Sequence, residues 1–444
     1  MVRDDGVTTP STAQVRPGLG RLAGTDWSGA RFLVGDVFDR LADIPDGSVD
    51  VIVTSPPFLA LRSYLPADHP DKAKEVGAEP TPAAFLDTLL ALTAEWRRVL
   101  APHGSLCVEL GDTYAGSGGG GGDYLPGGLR EGQPGFGGSA ERAREGNAAH
   151  WRQKNAQKDE WPLDKSLCGI PSLYAWSLAY GRNLLNPAQT IDPWRVRNLI
   201  VWTRPNPPVG ALGDKCRPAS SYITTACTGR ARYFDMDAER SEPKYGIVDT
   251  TRRACDPYEA PGQTPNMAAH PAAEGGGRIN SNPAGAPLLD HWNVPTQPYT
   301  GSHYAVWPEE LPRRLISLMC PQRVCQECGK PSERITERSE DYAAARAAIG
   351  DFNDRAKGQG LGGSRSVLVK AVGRDITSAE NITVGWTDCG HNAWRLGTVL
   401  DPFAGSGTTL AVAVGMGRRA VGIDIDARNA HLAEQRVGMF LEVA

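Results

Sequence analysis

Ser55-Pro56-Pro57-Phe58 follows Asp50-Val51-Ile52-Val53-Thr54, so a run of β-branched residues stops at a pair of prolines. Prolines have no N–H to occupy nearby carbonyls, which leaves those carbonyls free to accept hydrogen bonds. A serine hydroxyl, such carbonyls and an aromatic ring can together hold a planar ring that carries an amino group. The same residues also read as a strand, a proline turn and a core phenylalanine, because a motif this short is weak by itself.

A second set lies near the C-terminus. Asp401-Pro402-Phe403-Ala404-Gly405-Ser406-Gly407-Thr408-Thr409 follows the strand-like Thr398-Val399-Leu400 and leads into a helix over 410–416. Glycines let backbone approach a ligand closely, and a helix N-terminus presents free N–H groups. A phosphate-binding loop would need a lysine before Thr408, and a dinucleotide loop a third glycine; both are missing. Arg419-Ala420-Val421-Gly422-Ile423-Asp424 then reads as a strand ending in a carboxylate suited to ribose hydroxyls. Acidic Asp401, no lysine and this ribose acceptor suit a nucleoside with a cationic centre, which describes S-adenosylmethionine.

The third set is Cys325-x-x-Cys328-Gly329 with Cys389-Gly390-His391. That spacing is one half of a zinc knuckle plus two further donors, so Cys325, Cys328, Cys389 and His391 form a candidate structural zinc site. Free cysteines are the alternative, and Cys320 is a rival for the fourth position.

These residues need a scaffold to bring them together. Residues 31–36 and 50–54 read as strands flanking a short helical stretch over 37–44, a βαβ-type unit and hence a parallel sheet. An amphipathic helix is expected over 83–100, apolar at Phe85, Leu89, Leu92, Trp96 and Leu100. Further strands are expected at 105–110 and 196–202, and helices at 173–185 and 308–319. Residues 114–138 are glycine-rich and too entropically costly to order alone. Arg142, Arg144, Arg152, Lys154 and Lys158 read as a solvated face. Residues 215–232 interleave Lys215, Arg217, Arg230 and Arg232 with Tyr222, a pattern suited to phosphate contact and stacking.

In 444 residues, 40% hydrophobic content supports a real core, and a net charge of −4 neither requires nor excludes nucleic acid. Nine cysteines, an odd number spread over a long chain, do not form a disulfide framework, so reduced thiols and a cytoplasmic setting are expected. No apolar run reaches the ~20 residues of a membrane span.

Thr54 to Phe58 resembles the catalytic motif of the DNA amino-methyltransferases, and Asp401 to Thr409 resembles their S-adenosylmethionine motif. Catalytic motif first and cofactor motif last is similar to the circularly permuted β group. Gly35-Asp36, His303 to Pro308 and Trp202-Thr203-Arg204-Pro205-Asn206-Pro207 look like further motifs of that group. The resemblance implies an α/β, Rossmann-like methyltransferase fold, circularly permuted, with an inserted target-recognition region; the Cys-bearing insertion with its candidate zinc site lies outside the resemblance. It implies Ser55, Pro56, Pro57 and Phe58 at the base, and Asp36, Asp401, Phe403, Ala404, Gly405, Ser406, Gly407, Thr408 and Asp424 at S-adenosylmethionine.

The chain would then divide into an arm over 1–28, a catalytic half over 29–113, and a glycine-rich and recognition region over 114–300 that contains the core strand near 196–202. The cofactor half would comprise 301–319 and 392–444, with a Cys-bearing insertion over 320–391. The implied substrate is double-stranded DNA, with a separate restriction endonuclease as companion. Serine at the first motif position points to cytosine N4. Adenine N6 is the alternative, and a DNA-binding module without catalysis is the reading from another class. Arg204, where the group commonly has lysine, and Ser220-Ser221-Tyr222, which lacks a glutamate often found there, depart from the pattern.

Overall fold

The computed structural model describes residues 29–60, 64–66, 68–115, 160–207, 215–240, 287–297, 307–338 and 381–443. The expected arm over 1–28, the glycine run, the basic stretch Arg142 to Lys158, most of residues 239–300 and residues 303–306 lie outside them. Contacts divide the chain into two units. The first is Met1–Arg232 with His291–Gln322 and Arg395–Ala444; the second is Tyr233–Asp290 with Arg323–Trp394.

In the first unit β1 (Ala30–Val34) leads to α1 (Val37–Leu41), capped by Asp36, whose carboxylate accepts the Phe38 and Asp39 N–H groups. β2 (Val49–Thr54) is buried at all six positions, as its β-branched composition requires of a strand covered on both faces. α2 (Pro82–Val99) starts at Thr81, whose hydroxyl accepts the Ala84 N–H at 3.1 Å, with Pro82 in the first turn where its missing N–H costs nothing. Its buried stripe is the expected one through Trp96. Leu100 instead begins β3 (Leu100–Leu110), because Pro102 bars helix and the residue before a proline favours extended backbone.

α3 (Ile170–Tyr180) stops at Gly181, which has φ +68°, five residues before the expected end. β4 (Arg195–Thr203) and β5 (Ser220–Cys227) form an antiparallel pair, and β6 (His291–Asn293) follows. α4 (Glu310–Met319) precedes two short strands of the second unit and its border, β7 (Arg323–Cys325) and, after β8 (Arg334–Arg338) and β9 (Asn381–Trp386), β10 (Trp394–Leu396). The chain closes with β11 (Thr398–Asp401), α5 (Thr408–Gly415), β12 (Arg419–Asp424), α6 (Ala427–Val437) and β13 (Leu441–Val443).

The first unit is built on one nine-stranded sheet in the order β13-β1-β12-β11-β2-β3-β5-β4-β6, in which only β5 runs against its neighbours. Helices α1, α2 and α3 pack together, and so do α4, α5 and α6. With β2 buried on both faces, the two layers cover opposite sides. The fold is therefore mixed α/β on a mostly parallel sheet. β5 takes residues 220–227 of the basic 215–232 segment into the sheet, and Lys215, Arg217, Arg230 and Arg232 lie outside the strand. No helix among the described residues is long and apolar enough to cross a membrane.

Asp50 anchors the start of β2. It is fully buried and accepts from Arg395 Nη1 at 2.5 Å, Arg395 Nη2 at 2.9 Å and the Thr398 N–H at 2.7 Å, with His103 Nε2 at 2.9 Å. Burial alone would raise its pKa, but the His103 and Arg395 hydrogen bonds and the Arg395 charge hold it below the usual 3.8. This contribution to stability is present above pH 3.8 and is lost as pH falls through the depressed value. Asp50→Ala, which strands the guanidinium, should cost about 3–5 kcal/mol. The check is a lower urea midpoint at unchanged slope.

Candidate active site

β2 and β11 are paired in parallel, Val51 beside Val399 and Ile52 beside Leu400, so both chains leave the sheet at the same edge. Thr54 Oγ1 donates to Asp401 Oδ1 at 2.7 Å in a buried contact. Ser55 to Phe58 and the 402–408 turn thus start from adjacent strands, about 4.8 Å apart. The chain continues from β2 into α2 in one helical layer and from β11 into α5 in the other. Strand ends that diverge in this way open the crevice where ligands sit in doubly wound sheets.

On the β11 side the turn is shaped by Gly405 and Gly407, with φ of +52° and +77°. A Cβ at Gly407 would lie 2.9 Å from the Ala433 methyl, so only glycine fits. Gly407 begins α5 with no side-chain cap, so the first-turn N–H groups have no side-chain acceptor. The Gly405 N–H donates to Asp424 Oδ2 at 2.8 Å, and Asp424 Oδ1 accepts from Asp426 N at 2.8 Å and Asn429 Nδ2 at 2.9 Å. Ala404, Ser406 and Thr408 are buried, and Phe403 packs partly against the core. Val34 is in register with Asp424, which sets Asp36 at the neighbouring strand end. The Asp424 and Asp401 carboxylates both accept from the protein's own groups; they differ in exposure, Asp424 being half-buried and Asp401 3% exposed with its Oδ1 taking both Thr54 and the Phe403 N–H.

On the β2 side Ser55 is half-buried and its hydroxyl donates to Glu109 Oε2 at 2.6 Å. Glu109, at the end of β3, is 2% exposed; burial raises its pKa against the Ser55 hydrogen bond and the Arg204 charge. Arg204 lies 5.2 Å from the Trp202 ring and donates to the Ala219 and Ser220 carbonyls. The Phe58 ring rests on Gly111, where a Cβ would meet its Cε2 at 2.6 Å. Glu109 escaped the sequence reading. Its signal was a lone carboxylate in an otherwise buried-type strand, which is costly unless something uses it.

The four candidate metal donors come together in the second unit, where the ligand atoms of Cys325, Cys328, Cys389 and His391 lie within 4.8 Å of one another. Cys320 is not among them. It is buried in the first unit, with its thiol 3.7 Å from the Pro321 carbonyl.

Burial pushes the carboxyls of both Asp401 and Asp424 up to about 6. A raised carboxyl keeps its proton longer in the folded chain, so this stability is whole below pH 3.8 and is lost as pH rises to about 6. Asp424→Asn should therefore flatten the fall in melting temperature of the ligand-free protein across that window. An unchanged slope would contradict this account.

The sequence profile of the DNA methylase family, N6_N4_Mtase, matches residues 49–323 and 395–435, well over half of the chain. The Type II methyltransferase M.Cfr9I of Citrobacter freundii is 26% identical over 298 residues, 67% of this chain and 75% of that one. The Type II methyltransferase M.SmaI of Serratia marcescens is 23% identical over 411 residues, 92% and 90% of the two chains. The structure of PvuII DNA methyltransferase (cytosine-N4-specific) covers 92% of this chain and 86% of its own, with 12% identity and a TM-score of 0.40. On the extent of the family match, the chain belongs to the N4/N6 family of DNA amino-methyltransferases.

Proposed function

We propose that this protein transfers a methyl group from S-adenosylmethionine to the exocyclic N4 of a cytosine flipped out of double-stranded DNA. The observation that carries this reading is the Ser55 hydroxyl donating to buried Glu109, one strand away from the glycine turn.

The residues at the turn fit the cofactor. Gly405 and Gly407 leave room for close approach, Asp424 and Asp36 offer carboxylates at neighbouring strand ends, and no lysine within 401–409 calls for phosphate. When bound, S-adenosylmethionine supplies a methyl group on a sulfonium centre. Asp424 is assigned to its ribose, Asp36 to its adenine amino group, and Phe403 to Thr408 to the walls of its site. Asp401 acts by holding the turn to β2 through Thr54.

An exocyclic amino group on a pyrimidine is a poor nucleophile because its lone pair is delocalised into the ring. The Ser55 hydroxyl donates its hydrogen bond to Glu109 and keeps its proton, so a lone pair on Oγ is left to accept one amino N–H, and the Pro56 carbonyl accepts the other. Two acceptors placed in this way favour a tetrahedral nitrogen, and positioning supplies much of the rate. The methylated nitrogen must lose a proton. Ser55 Oγ receives it while Glu109 takes the serine proton, a role that suits a buried carboxylate whose pKa is raised. Phe58 stacks on the flipped base and offsets part of its few kcal/mol of lost stacking. By family resemblance, serine at position 55 in place of the aspartate or asparagine typical of adenine N6 supports cytosine N4. The names of M.Cfr9I and M.SmaI as Type II methyltransferases support a place beside a separate restriction endonuclease.

Ser55→Ala should abolish methyl transfer with S-adenosylmethionine affinity within about twofold of the parent, measured by calorimetry. Glu109→Gln should lower kcat by about 10²-fold with KM for the cofactor unchanged. Sequencing and mass analysis of DNA from cells making the protein should find N4-methylcytosine at one site. N6-methyladenine would overturn the choice of base, and unmodified DNA the enzymatic reading.

A further inference from the structure

We propose that Cys325, Cys328, Cys389 and His391 bind one structural Zn2+, which stands in for an apolar core in the second unit.

The donor atoms are already spaced for an ion. His391 Nδ1 lies 3.4 Å from both Cys325 Sγ and Cys389 Sγ. Tetrahedral zinc, with bonds of about 2.3 Å to sulfur and about 2.0 Å to nitrogen, would set sulfur and nitrogen roughly 3.5 Å apart. The ring orientation commits the site to Nδ1 as the histidine donor.

Two tight turns present the ligands. In the first, the Gly329 N–H donates to the Cys325 carbonyl at 3.0 Å and the Cys328 N–H faces Cys325 Sγ at 3.5 Å, with Gly329 at φ +68°. In the second, Asp388 Oδ1 accepts the Gly390 N–H at 2.7 Å, with Gly390 at +83° and Asn392 at +53°. The Gln326 N–H donates to the Ala393 carbonyl at 2.8 Å and draws the turns together. Such turns are local, yet they bring together donors more than sixty positions apart in the chain.

Among the described residues of this stretch, little else is buried. Among the described residues of 323–338 and 381–394, the buried apolar side chains are Val324 and Cys325, while Ile335 and Val384 are 41% and 50% exposed. Ribbon pairing of β8 with β9 and the ring contacts of Arg323 with Trp394 and Arg334 with Trp386 add surface order but little burial. So few buried apolar side chains among the described residues leave a role for a metal as a staple. Three thiolates and an imidazole select zinc over hard cations. Four protein donors leave no open position, so the ion is structural and takes no part in methyl transfer. The family match skips residues 324–394, so the site is an addition to the shared enzyme.

The full-length protein, purified in reductant without added metal, should contain one zinc per chain by mass spectrometry. X-ray absorption should find three sulfurs and one nitrogen around it. Cys328→Ser and Cys389→Ser should drop zinc below about a tenth of an equivalent, whereas Cys216→Ser, a control at an exposed cysteine outside the cluster, should keep it. Stripping the metal should speed protease cleavage within 323–394 at least about tenfold with S-adenosylmethionine affinity unchanged, which separates this inference from the proposed reaction. Zinc-free wild type, a different ligand set, or a Cys325 to Cys328 disulfide in the reduced preparation would overturn it.

Discussion

The parallel pairing of β2 with β11 is the contact on which the rest of the first unit depends, because it joins strands from opposite ends of the chain at the middle of one sheet. Backbone hydrogen bonds set the register, and the buried Thr54 to Asp401 bond fixes it at the edge where both chains turn away. A bond between two groups that water cannot reach is costly to break, since either partner would be left unsatisfied. At the other end of β2, Asp50 does the same work with Arg395 and the Thr398 N–H. The seam is thus closed at both ends by a buried carboxylate.

From that seam the chemistry follows by proximity. In the proposed reaction residues beyond β2 face the amino group and residues beyond β11 and β12 face the methyl donor. The antiparallel β4 and β5 pair extends the sheet past β3 and places Arg204 near Glu109, so a positive charge balances the acid behind the proposed catalytic serine. The acceptor side of the proposed reaction is thus built on sheet strands. Gly111 completes it by leaving space for Phe58.

Much of this was legible from local pattern. The α2 stripe of Phe85, Leu89, Leu92 and Trp96 is buried as its period demands, and β2 is buried as its β-branched run demands. Errors arose where a neighbour outranked local signal. Leu100 fits the helical stripe but pairs with Val49 as the first residue of β3.

The amino-acid sequence by itself determined the two turn motifs, their order along the chain and the spacing of the cysteines, because each depends on a few consecutive residues whose backbone limits are intrinsic. Only the tertiary structure decided that Asp401 is spent on Thr54, that Glu109 backs Ser55, and that His391 rather than Cys320 joins the cysteine cluster. Each of those is a pairing across tens to hundreds of residues. Such pairings are set by sheet register and burial, which no window of sequence contains.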